Sequence, residues 1–219
     1  MGKSGGGSGP ENGATAVTLD TPDGPFSLVA SLGAILASGW TDDLERLRVD
    51  IHPSLRPSTV ALVPVAAARA DPAAASPTAF TPVTPVTEAV NDTAAAEVVL
   101  GRAASAVTAY YAGQPEAIMD VPVRQAGGAF WTAVWRSLRL IPYGQHLTYS
   151  ELAAAAGRPR AVRAAGSACA GNACALLVPC HRAVHTDPGR MAFGYGVPLK
   201  QQLLAREAAW AGAGEPEGE

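Results

Sequence analysis

The chain has 219 residues, 48% of them hydrophobic, and a formal net charge of −3, a length that suits one compact domain or two small ones. No apolar run approaches the roughly 18 residues of a membrane span, and residues 1–9 hold no apolar stretch that would serve as a secretory signal. The charge is uneven: residues 1–123 carry 6 Lys/Arg against 13 Asp/Glu, and residues 124–207 carry 10 against 3, so the second half points to phosphates despite the acidic total, unless Arg is simply common in an Ala-rich composition.

Residues 1–13 are Gly/Ser-rich and expected to be a disordered tail. Residues 15–63 read as strands, with runs such as Ala16-Val17-Thr18-Leu19 and Phe26-Ser27-Leu28-Val29-Ala30 separated by the turn signal Pro22-Asp23-Gly24-Pro25. Residues 64–88 are Ala/Pro/Thr-rich without a period and are expected to be a long loop. A helix is expected over 94–111, ending near Gly113-Gln114-Pro115, and Val121-Pro122-Val123 is a short extended piece.

The second half reads as helical. Phe130, Val134 and Leu138, with Trp131 and Trp135, form an apolar face that stops at Pro142. Thr148 with Glu151 three residues on is a capping box opening a helix over about 149–156. After Gly157-Arg158-Pro159 a second helix is expected over 160–170, and the two read as a helix-turn-helix. That second helix is small-sided (Ala164, Ala165, Gly166, Ser167, Ala168, Ala170), which suits either a DNA groove or tight packing on a neighbour. A last helix over 198–210 places Leu199, Leu203 and Glu207 on one face. A carboxylate on an apolar stripe needs a partner, either a core ion pair or a histidine that it orients.

Between these helices lies Leu176-Leu177-Val178-Pro179-Cys180-His181-Arg182, a strand-like apolar run closed by Pro, with a thiol and an imidazole directly after it. A thiol reacts as thiolate, and a free Cys has a pKa of about 8.5, so its neighbours decide whether Cys180 is chemistry or packing. Cys180, His181 and Glu207 have the composition of an activated nucleophile. Adjacent residues on an extended chain point oppositely, so a bridging water is a route for the proton. Cys169, Cys174 and Cys180 fall within twelve positions, and their odd number argues against a disulfide framework and for a reducing compartment. With His181 they could be imagined as a zinc set, but no CxxC pair is present and a metal would block the nucleophile. No metal or cofactor is expected.

The run Pro179-Cys180-His181-Arg182 resembles the active-site motif of the O6-alkylguanine-DNA alkyltransferases, also called methylated-DNA–protein-cysteine methyltransferases. The resemblance covers about residues 130–208 and includes Ile141-Pro142-Tyr143-Gly144, Thr148-Tyr149-Ser150-Glu151-Leu152-Ala153, Arg158-Pro159-Arg160-Ala161-Val162-Arg163-Ala164 and Leu203-Leu204-Ala205-Arg206-Glu207. It implies that Cys180 takes an alkyl group from guanine O6 in one irreversible step, with His181 acting through water as base and Glu207 holding the imidazole. It further implies that Asn172 bonds backbone at the hinge before the active-site loop. Tyr149, with Ser150 beside it, would rotate the nucleotide out of the duplex and donate to the base, and Arg163 would fill the gap left behind. Arg182 is placed among the substrate-binding residues, and the backbones of Cys180, Ala183 and the Phe193-Gly194 loop would hold the guanine edge. Two departures stand out: Ala173 follows Asn172 where many members have Pro, and Phe193-Gly194-Tyr195-Gly196 stands where many have Tyr and a Gly-Gly loop.

The reading is an α+β protein: a small N-terminal sheet-plus-helix domain over 14–123 and a mostly helical C-terminal domain over 124–210 with a winged-helix-like helix-turn-helix and the reactive Cys, between tails at 1–13 and 211–219. The expected partner is double-stranded DNA carrying alkylated guanine, with O4-alkylthymine a second lesion, acted on by a cytoplasmic monomer without membrane association. The rivals are a non-catalytic helix-turn-helix regulator and a protein that only marks lesions; the presence of Cys180 speaks against both.

Overall fold

Residues 13–64 and 92–213 of the computed structural model are described. The expected 64–88 loop lies outside them except for Val63's neighbour at its first position, as do residues 1–12 and 214–219 of the expected tails.

Three strands, β1 (Gly13–Thr21), β2 (Gly24–Ser31) and β3 (Ala34–Gly39), form consecutive antiparallel hairpins, and β4 (Thr59–Leu62) joins the far side of β1 in parallel, giving the order β3-β2-β1-β4. The strands alternate faces with period two. Val17, Leu19, Phe26 and Leu28 enter the main core, whereas Ala14, Ala16, Val29 and Leu36 pack on the opposite face. The main core is closed by α2 (Asp92–Tyr111), whose Val99, Leu100, Ala103, Val107 and Tyr110 are buried.

The opposite face is covered by a helix, α1 (Leu44–Asp50), which corrects the all-strand reading of residues 15–63. Its signals are local: Asp43 caps it by accepting from the Arg46 N–H at 3.0 Å, and Glu45 pairs with Arg48 one turn on at 2.7 Å. Leu47 is its buried residue. A seven-residue helix with one buried side chain leaves almost no periodic trace.

The C-terminal half consists of α3 (Ala129–Arg139), α4 (Tyr149–Ala155), α5 (Val162–Ala170) and α6 (Val197–Ala213), with a two-stranded parallel ladder of β5 (Leu147–Thr148) and β6 (Ala183–Val184) beside the helix pair. The Thr148–Glu151 capping box forms as expected. Ala165 and Ala168 turn inward from α5 onto the neighbouring helices, while Arg163 and Ser167 face out. The small side chains therefore serve packing on one face and leave the other open. One core cluster contains buried residues from both halves, from Val17 and Leu100 to Leu152 and Leu203. The α+β architecture agrees with the sequence reading.

The β2–β3 hairpin turns through Leu32 and Gly33, with φ of 51° and 71°. Two central residues of positive φ are the requirement of a type I′ turn, which favours Asn-Gly. Leu32 is 58% exposed, so its side chain gains little burial for a left-handed backbone that costs a non-Gly residue about 1–2 kcal/mol. Leu32→Asn is expected to raise stability by about 1 kcal/mol, read as a higher midpoint in urea denaturation with an unchanged slope.

Candidate active site

The apolar run before Cys180 is a buried turn rather than a strand. Ser38 of β3 grips its start: its N–H donates to the Ala173 carbonyl at 2.9 Å, its Oγ donates to the Ala175 carbonyl at 2.8 Å, and its own carbonyl accepts from Ala175 N–H at 3.0 Å. The chain then folds back, with the Val178 N–H on the Cys174 carbonyl at 2.8 Å and Leu176 held at φ 69°. Leu176, Leu177 and Val178 are all buried. A continuous apolar run fits a turn embedded in a core as well as it fits a buried strand, because its side chains leave in several directions rather than two. Cys180–Arg182 is a single 3-10 turn behind Pro179.

The turn directs His181 and Arg182 inward, onto Glu207 of α6. Glu207 Oε1 accepts from His181 Nε2 at 2.9 Å, Arg182 Nη2 at 2.9 Å and the Tyr110 hydroxyl at 3.0 Å, and Oε2 accepts from Arg182 Nε at 2.8 Å. Arg182 Nη1 donates to the Ile141 carbonyl at 2.7 Å. Burial alone would push Glu207 up, but the hydrogen bonds of His181 and Arg182 and the charge of Arg182 hold it at about 2. Burial pushes His181 below its ordinary range against the pull of Glu207, which leaves the imidazole neutral near pH 7. The carboxylate can only accept, so the single ring proton sits on Nε2, and Nδ1 keeps its lone pair. Nδ1 is buried and takes no hydrogen bond from a described residue. It is therefore the basic atom of the pair.

Arg182 was grouped with the substrate-binding residues on sequence, and the structure corrects this. Arg182 is 2% exposed, and each of its three guanidinium nitrogens is bonded within the protein, so it is a buried counter-charge to Glu207 and presents no surface to DNA. The buried stripe of α6 is likewise Lys200, Leu203 and Glu207, with Leu199 at its margin. Gly144 lets α6 approach: its φ is 73°, and a Cβ there would lie 2.5 Å from Ala211 Cβ and 3.2 Å from the Glu207 carbonyl.

Cys180 is buried, and among the described residues its thiol makes no direct hydrogen bond to His181, so an intermediary such as a water is the route for a proton between them. Burial raises the thiol pKa, and the neighbouring Asn172 amide and the charge of Lys200 act in the opposite direction. Asn172 Nδ2 also donates to the Val178 carbonyl at 2.8 Å, and its Oδ1 accepts from Cys174 N–H at 3.1 Å. Lys200 donates to the Ala183 carbonyl at 2.5 Å and the Ala192 carbonyl at 3.4 Å, with its Nζ 6.0 Å from the centroid of the Tyr149 ring. The Ala183 N–H is also used, on the Cys180 carbonyl. Lys200 and Gln125 (which bonds Asn172 at 3.0 Å) were not singled out on sequence. Of the two, Lys200 left a signal, a cation seven residues before Glu207 on one helix face.

Tyr149, Ser150, Val162, Arg163, Gly166, His185, Thr186 and Arg190 line an open groove of about 270 Å³ over the helix pair. Burial pushes the Tyr149 phenol up to about 12, so it remains a proton donor. Arg163 and Ser150 are exposed on this side. The Phe193-Gly194 loop is tied to the N-terminal half: the Gly194 carbonyl accepts from Arg46 at 3.1 Å, and Trp40 meets the Phe193 and Tyr195 rings edge-on at 6.1 and 5.4 Å. Among the described residues no three His, Cys, Asp or Glu side chains gather as metal ligands.

Residues 129–209 match the family described as 6-O-methylguanine DNA methyltransferase, DNA binding domain. The bifunctional transcriptional activator/DNA repair enzyme Ada of Escherichia coli K12 is 45% identical over 95 residues, 43% of this chain and 27% of that protein. A methylated-DNA–protein-cysteine methyltransferase of Haemophilus influenzae is 40% identical over 98 residues, 45% of this chain and 55% of that one. The chain thus spans about a quarter to just over half the length of these relatives. The crystal structure of an O6-methylguanine methyltransferase from Mycobacterium tuberculosis covers 94% of this chain and 96% of its own, with a TM-score of 0.63 and 23% identity, a likeness of fold. The resemblance carried by the Pro-Cys-His-Arg run and its flanking blocks is borne out over residues 129–209.

The Glu207 cluster sets a pH dependence. Its folded pKa lies below the 4.5 of an ordinary Glu, so the stability it supplies is complete above about 4.5 and is lost as pH falls toward about 2. Thermal denaturation across that window should show a fall in midpoint. Glu207→Gln should flatten the fall while lowering the midpoint at pH 7, because Arg182 is left buried without its counter-charge.

Proposed function

We propose that this protein repairs O6-alkylguanine in double-stranded DNA by extruding the damaged nucleotide and transferring its alkyl group irreversibly to Cys180, one group per molecule. The observation that carries the reading is a buried thiol next in the chain to a neutral imidazole whose Nε2 proton is pinned by Glu207 and whose Nδ1 is left without a partner among the described residues. The match of residues 129–209 supports the choice of DNA as partner.

The steps follow from the groups present. His181 Nδ1 accepts the Cys180 proton through a water, and Glu207 stabilises the imidazolium that results. The thiolate attacks the alkyl carbon, an S–C bond forms, and the C–O6 bond breaks with its electron pair passing to the guanine. The guanine anion is met by the Tyr149 phenol, which remains protonated at neutral pH. The product is a thioether, and none of these side chains can hydrolyse it, so the protein is consumed. A base inside a duplex is out of reach of a buried thiol, so extrusion is required, at a cost of a few kcal/mol. Arg163, exposed on α5 above the groove, fills the vacated stack, with Ser150 contacting backbone phosphate. The walls of the guanine site are the backbone at Cys180 and the Phe193-Gly194 loop. At Ala183 both backbone groups already have partners, so only a second lone pair of its carbonyl remains for the base. O4-alkylthymine, which presents the same alkyl–oxygen bond, is the second candidate lesion. The protein works as a monomer in the cytoplasm, whose reducing conditions the three free cysteines suit.

Incubation with a duplex carrying radiolabelled O6-methylguanine, followed by peptide digestion, should place about one label per protein on the Cys180 peptide. Label elsewhere, or repeated turnover, overturns the reading and favours a regulator or a lesion-marking protein. Arg163→Ala should slow transfer from duplex by about tenfold or more, as expected if it offsets even 1.4 kcal/mol of the extrusion cost. Reaction with free O6-benzylguanine, which needs no extrusion, should keep most of its rate.

A further inference from the structure

Two segments that are distant in sequence dock side by side on the exposed edge of β3. The stretch before α3 runs parallel to it at Ile35, whose N–H donates to the Pro122 carbonyl and whose carbonyl accepts from Arg124 N–H, both at 2.9 Å. The hinge before the active-site turn runs parallel to it at Ser38, through Ala173 and Ala175. Three residues along a strand is about 10 Å, so the next residue of the first segment, Gln125, comes within reach of Asn172.

The Gln125 carboxamide closes that gap as a bracket. Its Oε1 accepts from Ala173 N–H at 2.9 Å, and its Nε2 donates to Asn172 Oδ1 at 3.0 Å. The polarity is fixed throughout. A backbone N–H can only donate, so Ala173 makes Oε1 the acceptor end and Nε2 the donor end. Asn172 must then turn its oxygen to Gln125 and to Cys174 N–H, and its nitrogen to the Val178 carbonyl. That carbonyl also accepts from the Cys180 N–H at 2.7 Å. A flip of the Asn172 amide is opposed by the Cys174 N–H and the Val178 carbonyl, and Gln125 adds a third opposition, because its Nε2 donor would then face the Asn172 NH2.

We infer that Gln125 is a positioning residue for Cys180: together with the Cys174 N–H and the Val178 carbonyl it braces Asn172 so that an N–H, and not a carbonyl oxygen, stays presented to the active-site turn. The inference deepens the proposed alkyl transfer and rests on Cys180 being its acceptor. The Asn172 N–H bonds the Val178 carbonyl that also accepts from Cys180 N–H, so it stands at the turn that carries the thiol, and Asn172 opposes the rise that burial causes in the Cys180 pKa. Gln125 has no reacting group of its own and touches no expected position of the substrate. It is half-buried, at the wall of a cleft of about 220 Å³ between the end of α1 and Trp131, so it can be changed without a clash.

The test follows iodoacetamide labelling of the Cys180 peptide against pH in the full chain, beside transfer from the labelled duplex. Loss of the duplex reaction in the wild-type protein would remove the proposed function, while the iodoacetamide profile still reads the thiol. Gln125→Ala should move the profile to higher pH and slow labelling at pH 7.5 by about three- to tenfold, tenfold being one pH unit. Gln125→Glu keeps the acceptor for Ala173 N–H but sets a carboxylate oxygen against Asn172 Oδ1, so it should not restore the profile. Adding Ala173→Pro to Gln125→Ala removes the orphaned N–H and should recover melting temperature without recovering the profile. A wild-type profile in Gln125→Ala, or its restoration by Gln125→Glu or by Ala173→Pro, would reduce Gln125 to a backbone support and overturn the inference.

Discussion

The Glu207 carboxylate is the interaction on which the rest of the arrangement depends. It accepts four hydrogen bonds, from Tyr110 of α2, from His181, and two from Arg182 of the turn next to Cys180. That number fills the acceptor sites of a carboxylate. Taking a carboxylate and a guanidinium out of water costs several kcal/mol per ion, and good geometry with every lone pair engaged is what offsets it. The arrangement meets that condition on the cation as well, because the remaining Arg182 nitrogen reaches the Ile141 carbonyl. Three pieces of chain are thereby fixed against one another at the only place where the imidazole must keep a defined tautomer.

The N-terminal half takes part in building the site. The β3 edge supplies backbone partners to both the segment before α3 and the hinge before the active-site turn. Tyr110 reaches Glu207 from α2, and Arg46 and Trp40 hold the Phe193–Tyr195 loop. Asp23 at the first hairpin binds Arg206 with both oxygens, at 2.7 and 2.8 Å, directly beside Glu207 on α6. Each of these contacts acts on backbone or on a side chain next to the chemistry. The sheet is a frame that sets where the C-terminal residues stand.

What could be read from the sequence was what is local. The Thr148–Glu151 capping box and the Gly-Pro break after it fixed α4 and the start of α5, and the spacing to Glu207 put a carboxylate on a buried stripe. The Cys-His pair named its own chemistry, but the orientation of the pair was not legible, because it depends on a left-handed Leu176 next to Ala175, which Ser38 holds from 137 positions upstream. Arg182 illustrates the same limit. An Arg beside a nucleophile in a basic half reads as a phosphate contact, and only the buried carboxylate on another helix turns it inward. Gln125 carried no signal at all, since a lone Gln before a helix has no period and its meaning lies in two backbone segments meeting on a third. Ala173 was a visible departure without a visible consequence; the consequence is that its N–H exists and has an acceptor.

The thiol itself sets opposed requirements. Burial raises the pKa of Cys180, and Asn172 and Lys200 only oppose that rise. A catalyst that turns over would gain from a standing thiolate, since any molecule lost to a side reaction is one of many cycles. A nucleophile used once has no such margin: a thiolate exposed to oxidants or stray alkylating agents removes the whole protein. Keeping the proton on sulfur until a substrate arrives, with a neutral imidazole on a pinned tautomer beside it, would suit the single transfer proposed above. The groups that favour thiolate are themselves tied down, Asn172 by Val178 and Gln125 and Lys200 by the Ala183 carbonyl, so their influence on the thiol stays constant.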